Sequence, residues 1–149
     1  MIKRIGMLGA LFFATIMTFA QMQEPVKCET TWKMVNDSIT ELRITATISA
    51  GWHVYSTELE DGPTAATLFV EDIEGAHLTG KLEFEGKEIT KYDEMFGVDV
   101  RYFENKATFI QRFVIDKNEC KIQGYFQYGA CDDESCMPPT DVTFEYSKQ

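Results

Sequence analysis

From Leu42 to Ala50 every second residue is apolar: Leu42, Ile44, Ala46, Ile48 and Ala50 alternate with Arg43, Thr45, Thr47 and Ser49. A period of two sends successive side chains to opposite faces of an extended chain, so this segment reads as a strand buried on one side. The pattern recurs at Ala107, Phe109, Gln111, Phe113 and Ile115, with Gln111 as a polar interruption, then at Ile122, Gly124, Phe126 and Tyr128, and at Val142, Phe144 and Tyr146. Weaker strands are expected at Val26 to Val35, Trp52 to Ser56, Thr67 to Glu71, Leu78 to Phe84 and Val98 to Phe103. Turn signals separate them, among them Asn36-Asp37, Asp61-Gly62-Pro63, Glu85-Gly86-Lys87 and Asp116-Lys117-Asn118. Eight or nine short strands over about 120 residues, with no helical stripe, predict an all-β fold. The expected form is an immunoglobulin-like antiparallel β-sandwich, with a closed barrel as the alternative. On such a scaffold the loops carry function.

The chain opens with Lys3 and Arg4 and then runs apolar from Met7 to Ala20, closing on small residues. These are the parts of a secretory signal, and the run is short for a permanent anchor. The expectation is a signal peptide at residues 1–20 and one β-sandwich domain at residues 21–149; a buried N-terminal helix is the competing reading. Cleavage after Ala20 leaves 129 of the 149 residues, enough for a proper core. Loss of Lys3 and Arg4 takes the net charge from −10 to −12. A surface this acidic repels phosphate backbones and anionic lipid heads, which disfavours nucleic-acid and membrane-surface binding; no stretch after Ala20 is apolar enough to cross a membrane, so no direct insertion of the mature chain is expected.

Export places the four cysteines, Cys28, Cys120, Cys131 and Cys136, in an oxidising compartment. Cys131 and Cys136 enclose only Asp132-Asp133-Glu134-Ser135. A bridge over so short a loop removes only about 2 kcal/mol from the unfolded chain, against about 4.6 kcal/mol for a loop of roughly 93 residues. A bond that stabilises so little is a candidate for chemistry. The neighbouring acids disfavour thiolate, which raises thiol pKa values and leans the couple toward reducing potentials. Such a pair needs shielding from stray oxidants. The run Asp93-Glu94-Met95-Phe96-Gly97 sets large apolar side chains in a turn and is the candidate lid, with Gly97 supplying backbone freedom and a carboxylate available for proton transfer.

Blander readings stand beside these. The small bridge can simply pin a turn, and the Met95-Phe96 tip can tuck onto the sandwich edge. Cys28 and Cys120 form a possible structural disulfide if the terminal strands lie side by side, or else remain free thiols; four cysteines allow three pairings. Cys131, Cys136 and Met95 have the softness for Cu(I). However, Cys-x4-Cys is not a zinc spacing, and His53 and His77 sit in separate segments. No metal and no cofactor is therefore assigned. A Cys–His hydrolase needs an activated thiolate, which the acidic loop opposes.

Four runs occur in a telling order: Gly51-Trp52-His53-Val54-Tyr55-Ser56, Gly62-Pro63-Thr64, Tyr92-Asp93-Glu94-Met95-Phe96-Gly97, and Cys131 through Met137-Pro138-Pro139. Together they resemble the N-terminal domain family of the thiol:disulfide interchange protein DsbD. The resemblance implies an immunoglobulin-like fold in the periplasm and an electron-relay role in protein-disulfide reduction. It implies a thioredoxin-like or membrane-borne electron donor, and oxidised periplasmic thiol proteins as acceptors, including disulfide isomerases and proteins of cytochrome c biogenesis. By position, Cys131 and Cys136 look like the redox pair. Met95 and Phe96 look like the tip of a cap loop, Asp93 and Glu94 like the acids beside the pair, and Tyr55 like an aromatic lining the site. The chain differs from well-known members in having one residue fewer between the cysteines and Met95 at an aromatic cap position. It ends at Gln149, so the expectation is a standalone exported module. An exported protein- or glycan-binding sandwich with purely structural disulfides, using Trp52, Tyr55 and Phe96, is the rival reading.

Overall fold

A computed structural model describes residues 24–149; the expected signal peptide lies outside the described residues. Eleven strands follow one another: β1 (Val26–Met34), β2 (Ile39–Ile48), β3 (His53–Tyr55), β4 (Thr67–Glu74), β5 (Ala76–Glu85), β6 (Ile89–Asp93), β7 (Val98–Phe103), β8 (Lys106–Ile115), β9 (Cys120–Tyr128), β10 (Ala130–Cys131) and β11 (Thr140–Lys148). They form three sheets ordered β1-β2-β8-β5, β10-β3-β7-β6 and β11-β9-β4. Every pairing between these strands is antiparallel. The architecture is an immunoglobulin-like β-sandwich, with the first and third sheets enclosing the main core.

The period-two rows become that core. Leu42, Ile44, Phe109 and Phe113 from the first sheet meet Ile122, Phe126 and Phe144 from the third. Ring pairs tie the layers together: Phe109 and Phe126 have centroids 4.9 Å apart, and Trp32 closes one end against Phe113, Phe144 and Tyr146. Full burial of each large apolar side chain contributes about 1.5–3 kcal/mol. The polar interruption at Gln111 has a cause. Its side chain is 2% exposed, and Nε2 donates to the carbonyls of Thr79 and Gly80 where the β5–β8 register slips. A buried amide that satisfies otherwise unpaired carbonyls is retained where an apolar residue would leave them orphaned.

Two expectations need correction. Among the described residues the strand count is eleven, not eight or nine, because β6 and β10 lack a legible pattern. β6 reads Ile-Thr-Lys-Tyr-Asp on a sheet edge, and β10 is two residues long. The second correction concerns Cys28 and Cys120, which are free thiols. The terminal strands β1 and β11 sit in different sheets. Cys28 lies beside the Tyr128 side chain at one end of β9, whereas Cys120 begins that strand at the other. At about 3.3 Å per residue the two ends of β9 stand about 26 Å apart, far beyond the ~7 Å Cα limit for a disulfide. Burial pushes the Cys28 thiol up to about 11 and the Tyr128 phenol up to about 12, so both stay protonated.

A candidate redox site on the small sheet

The small sheet β10-β3-β7-β6 has two faces with different work. Alternation turns Val54, Phe103 and Ala130 into the main core, while Tyr55, Val100, Tyr102 and Cys131 project the other way and form a second apolar cluster. Ile89, Phe96, Val98 and Leu59 pack around that cluster. Strand register explains the grouping. Cys131 lies across from His53, Tyr55 across from Tyr102, and Tyr102 across from Ile89. Directly opposed residues in an antiparallel ladder share a face.

Cys131 and Cys136 are joined by a disulfide and also face each other as an isolated antiparallel bridge. Between them the chain makes a tight turn. The amide of Asp132 donates to the Ser135 carbonyl at 2.9 Å, and that of Met137 donates to the Ala130 carbonyl at 2.9 Å. Asp132 Oδ1 accepts from the amides of Glu134 (2.9 Å) and Ser135 (2.7 Å). These amide donors hold the Asp132 carboxyl below its usual range. One of the three loop acids thus serves as the turn's internal staple; Asp133 and Glu134 are exposed.

The two sulfurs are unequal. Cys131 is 3% exposed within the second cluster, while Cys136 is exposed. Over them stands the β6–β7 hairpin tip. Asp93 Oδ1 accepts from the amides of Met95 and Phe96, and the Gly97 amide donates to the Asp93 carbonyl at 2.7 Å. Gly97 closes the turn at φ +70°, a left-handed conformation that residues with a Cβ adopt only at a cost. Met95 Sδ lies 3.8 Å from Cys136 Sγ, and the Phe96 ring meets Tyr55 edge to face at 6.2 Å. Met95 therefore touches the exposed sulfur, and Phe96 packs in the cluster that buries its partner. Asp93 turns its carboxylate into the hairpin, and Glu94 is exposed.

His53 is a member of the site that an inspection of isolated histidines overlooks. It sits half-buried across from Cys131, with Nε2 3.0 Å from the Tyr55 hydroxyl and its ring 4.6 Å from that of Tyr102. Burial lowers its pKa, against the opposing pull of Asp93, Asp133 and Glu104. Tyr55 is pushed up to about 12 by burial first, then by Asp93 and Tyr102. The usable signal was its place two residues before Tyr55, on the same strand face. Among the described residues no three His, Cys, Asp or Glu side chains converge as a preformed metal cage. Chemically, the arrangement offers one disulfide with one reachable sulfur, one sheltered sulfur and an apolar, acid-rimmed surround.

Comparison with solved structures places this geometry among known folds. The N-terminal domain of DsbD from Neisseria meningitidis, in its reduced form, matches with a TM-score of 0.51 and 20% identity, over 80% of this chain and 90% of that one. The N-terminal periplasmic domain of ScsB from Proteus mirabilis matches with a TM-score of 0.54 and 12% identity, over 83% of this chain and 46% of that one. A comparison with curated proteins gives no match. The family model for the N-terminal domain of thiol:disulfide interchange protein DsbD matches residues 21–148. On that match, spanning nearly the whole sequence, the chain belongs to the DsbD N-terminal domain family.

Proposed function

We propose that the mature chain is a periplasmic thiol–disulfide exchange module, exported by residues 1–20, that relays reducing equivalents through Cys131 and Cys136 to disulfides of partner proteins. The donor is a thioredoxin-like or membrane-borne dithiol; the acceptors are oxidised periplasmic thiol proteins. In the reduced module, Cys136 thiolate attacks one sulfur of a partner disulfide, and the partner's other sulfur leaves as a thiolate and takes a proton. The Cys131 thiolate then attacks Cys136 Sγ, which re-forms the Cys131–Cys136 bond and releases the reduced partner. Two electrons and two protons pass to the partner. Asp133 and Glu134 disfavour thiolate in the resting state, which slows reaction with stray disulfides. The Met95–Phe96 tip is the cap that a docking partner must push aside.

The observation that carries this reading is the inequality across one bond: Cys131 is 3% exposed, and Cys136 is open to solvent beside Met95. The rival of a scaffold held by two structural disulfides loses one of them, since Cys28 and Cys120 are unbridged. The deciding test equilibrates native protein against thioredoxin or dithiol buffers of graded potential and counts thiols by mass. The reading predicts reversible opening of the Cys131–Cys136 bond in folded protein, and it fails if that bond opens only on unfolding.

A further inference from the structure

Met95 is 55% exposed. A cap needs bulk at that place; it does not need sulfur. Yet the atom that Met95 sets against Cys136 is its thioether, at 3.8 Å. The oxidised pair has no thiol proton to give, so this contact is no hydrogen bond. It is a van der Waals contact, and it holds a soft thioether against a sulfur that reduction turns into a thiol. Opening the disulfide frees a third soft sulfur, that of Cys131, at the same place.

We propose that the reduced protein binds one Cu(I) ion through the thiolates of Cys131 and Cys136 and the thioether of Met95. Thiolates and thioethers are the ligands that select this soft ion, and a thioether is a poor partner for Zn(II). His53 faces Cys131 across the β3–β10 ladder with its Nε2 engaged by the Tyr55 hydroxyl at 3.0 Å, and the proposed ligand set is the three sulfurs. Phe96, Tyr55 and Val98 supply an apolar wall on one side. The acids Asp133 and Glu134 give the rim the charge that draws a cation. On binding, two thiol protons leave to solvent and no electron moves. The site exists only in the reduced state, so the inference rests on the relay reading that the pair opens in native protein. A loaded site holds both thiolates and stops exchange.

The test uses the whole mature protein, reduced anaerobically, with thiols counted by mass beforehand. The probe is Cu(I) held by the coloured chelator bicinchoninate. One equivalent is expected to move to reduced protein and none to oxidised protein. Met95→Leu is expected to weaken uptake at least tenfold, and X-ray absorption is expected to report three sulfur neighbours falling to two. Cys131→Ser with Cys136→Ser, which keeps Cys28 and Cys120, should take up none; equal uptake by that variant would overturn the proposal. So would a fully reduced protein that takes no copper, or a Met95→Leu protein that holds it as tightly. If the pair resists reduction while folded, the relay and the copper site fall together; if it opens without taking copper, the copper site alone falls.

Discussion

Cys131 and Cys136 share one covalent bond but live in different surroundings: the first is packed among Tyr55, Val100 and Tyr102, the second is open to solvent. On the proposed relay, Cys136 is the cysteine that meets a partner. Cys131→Ser should therefore accumulate a mixed disulfide between Cys136 and a thioredoxin-like protein, visible on a non-reducing gel. Cys136→Ser should give little or none. Equal trapping by both variants would contradict the assignment of roles.

Phe96 packs edge-on to Tyr55 within the cluster that buries Cys131. Phe96→Ala should open a path to the sulfurs and speed reduction of the disulfide by dithiothreitol severalfold. Because the ring is only half-buried, the stability cost should be about 1–2 kcal/mol, less than the 3–5 kcal/mol of a fully buried Phe. Stopped-flow reduction and urea unfolding measure the two effects separately.

His53 is held neutral by burial, facing Tyr55, Tyr102, Asp93, Asp133, Glu104 and Lys91. Its folded pKa lies below its unfolded value of about 6.5. Between the two values the unfolded chain binds more protons, so stability falls as pH falls. The contribution is complete above about pH 6.5 and is lost on acidification toward the lowered folded value. Urea midpoints at pH 7.5 and 5.5 should diverge more in wild type than in His53→Phe; identical slopes would remove the claim.

Gly124 sits in the middle of β9, between β4 and β11. A Cβ there would press into the Phe69 carbonyl and the Phe144 ring. Both are held in sheet and core, so neither can yield cheaply. Gly124→Ala should cost about 3 kcal/mol, at the upper end for overpacking, and should lower the urea midpoint without altering the slope. A stability change under about 0.5 kcal/mol would mean that the sheet adapts.

Sequence patterning carried far in the large sheets and less far at the site. The rows Leu42–Ile48 and Ile122–Tyr128 were legible because each has one buried and one solvated face, the condition that produces alternation. β6 and β10 were not, since an edge strand and a two-residue strand bury too little to leave a pattern. In the site, the close pair Cys131 and Cys136 and the apolar tip at Met95 and Phe96 stand out in one dimension. The place of His53 does not, because it depends on which strand lies opposite Cys131. The choice between a bridge and free thiols at Cys28 and Cys120 is of the same kind: their separation is set by the length of β9, which no spacing in the chain reveals. Asp93 also has a part in the turn that its residue type alone does not show, as acceptor for two backbone amides.

The Asp132 carboxylate, bonded to two amides of the Cys131–Cys136 turn, holds that turn without help from sulfur. These bonds are to backbone amides, so breaking the link between the sulfurs removes none of them. The sulfurs of the proposed relay would then part and rejoin within a turn whose backbone bonds do not depend on them.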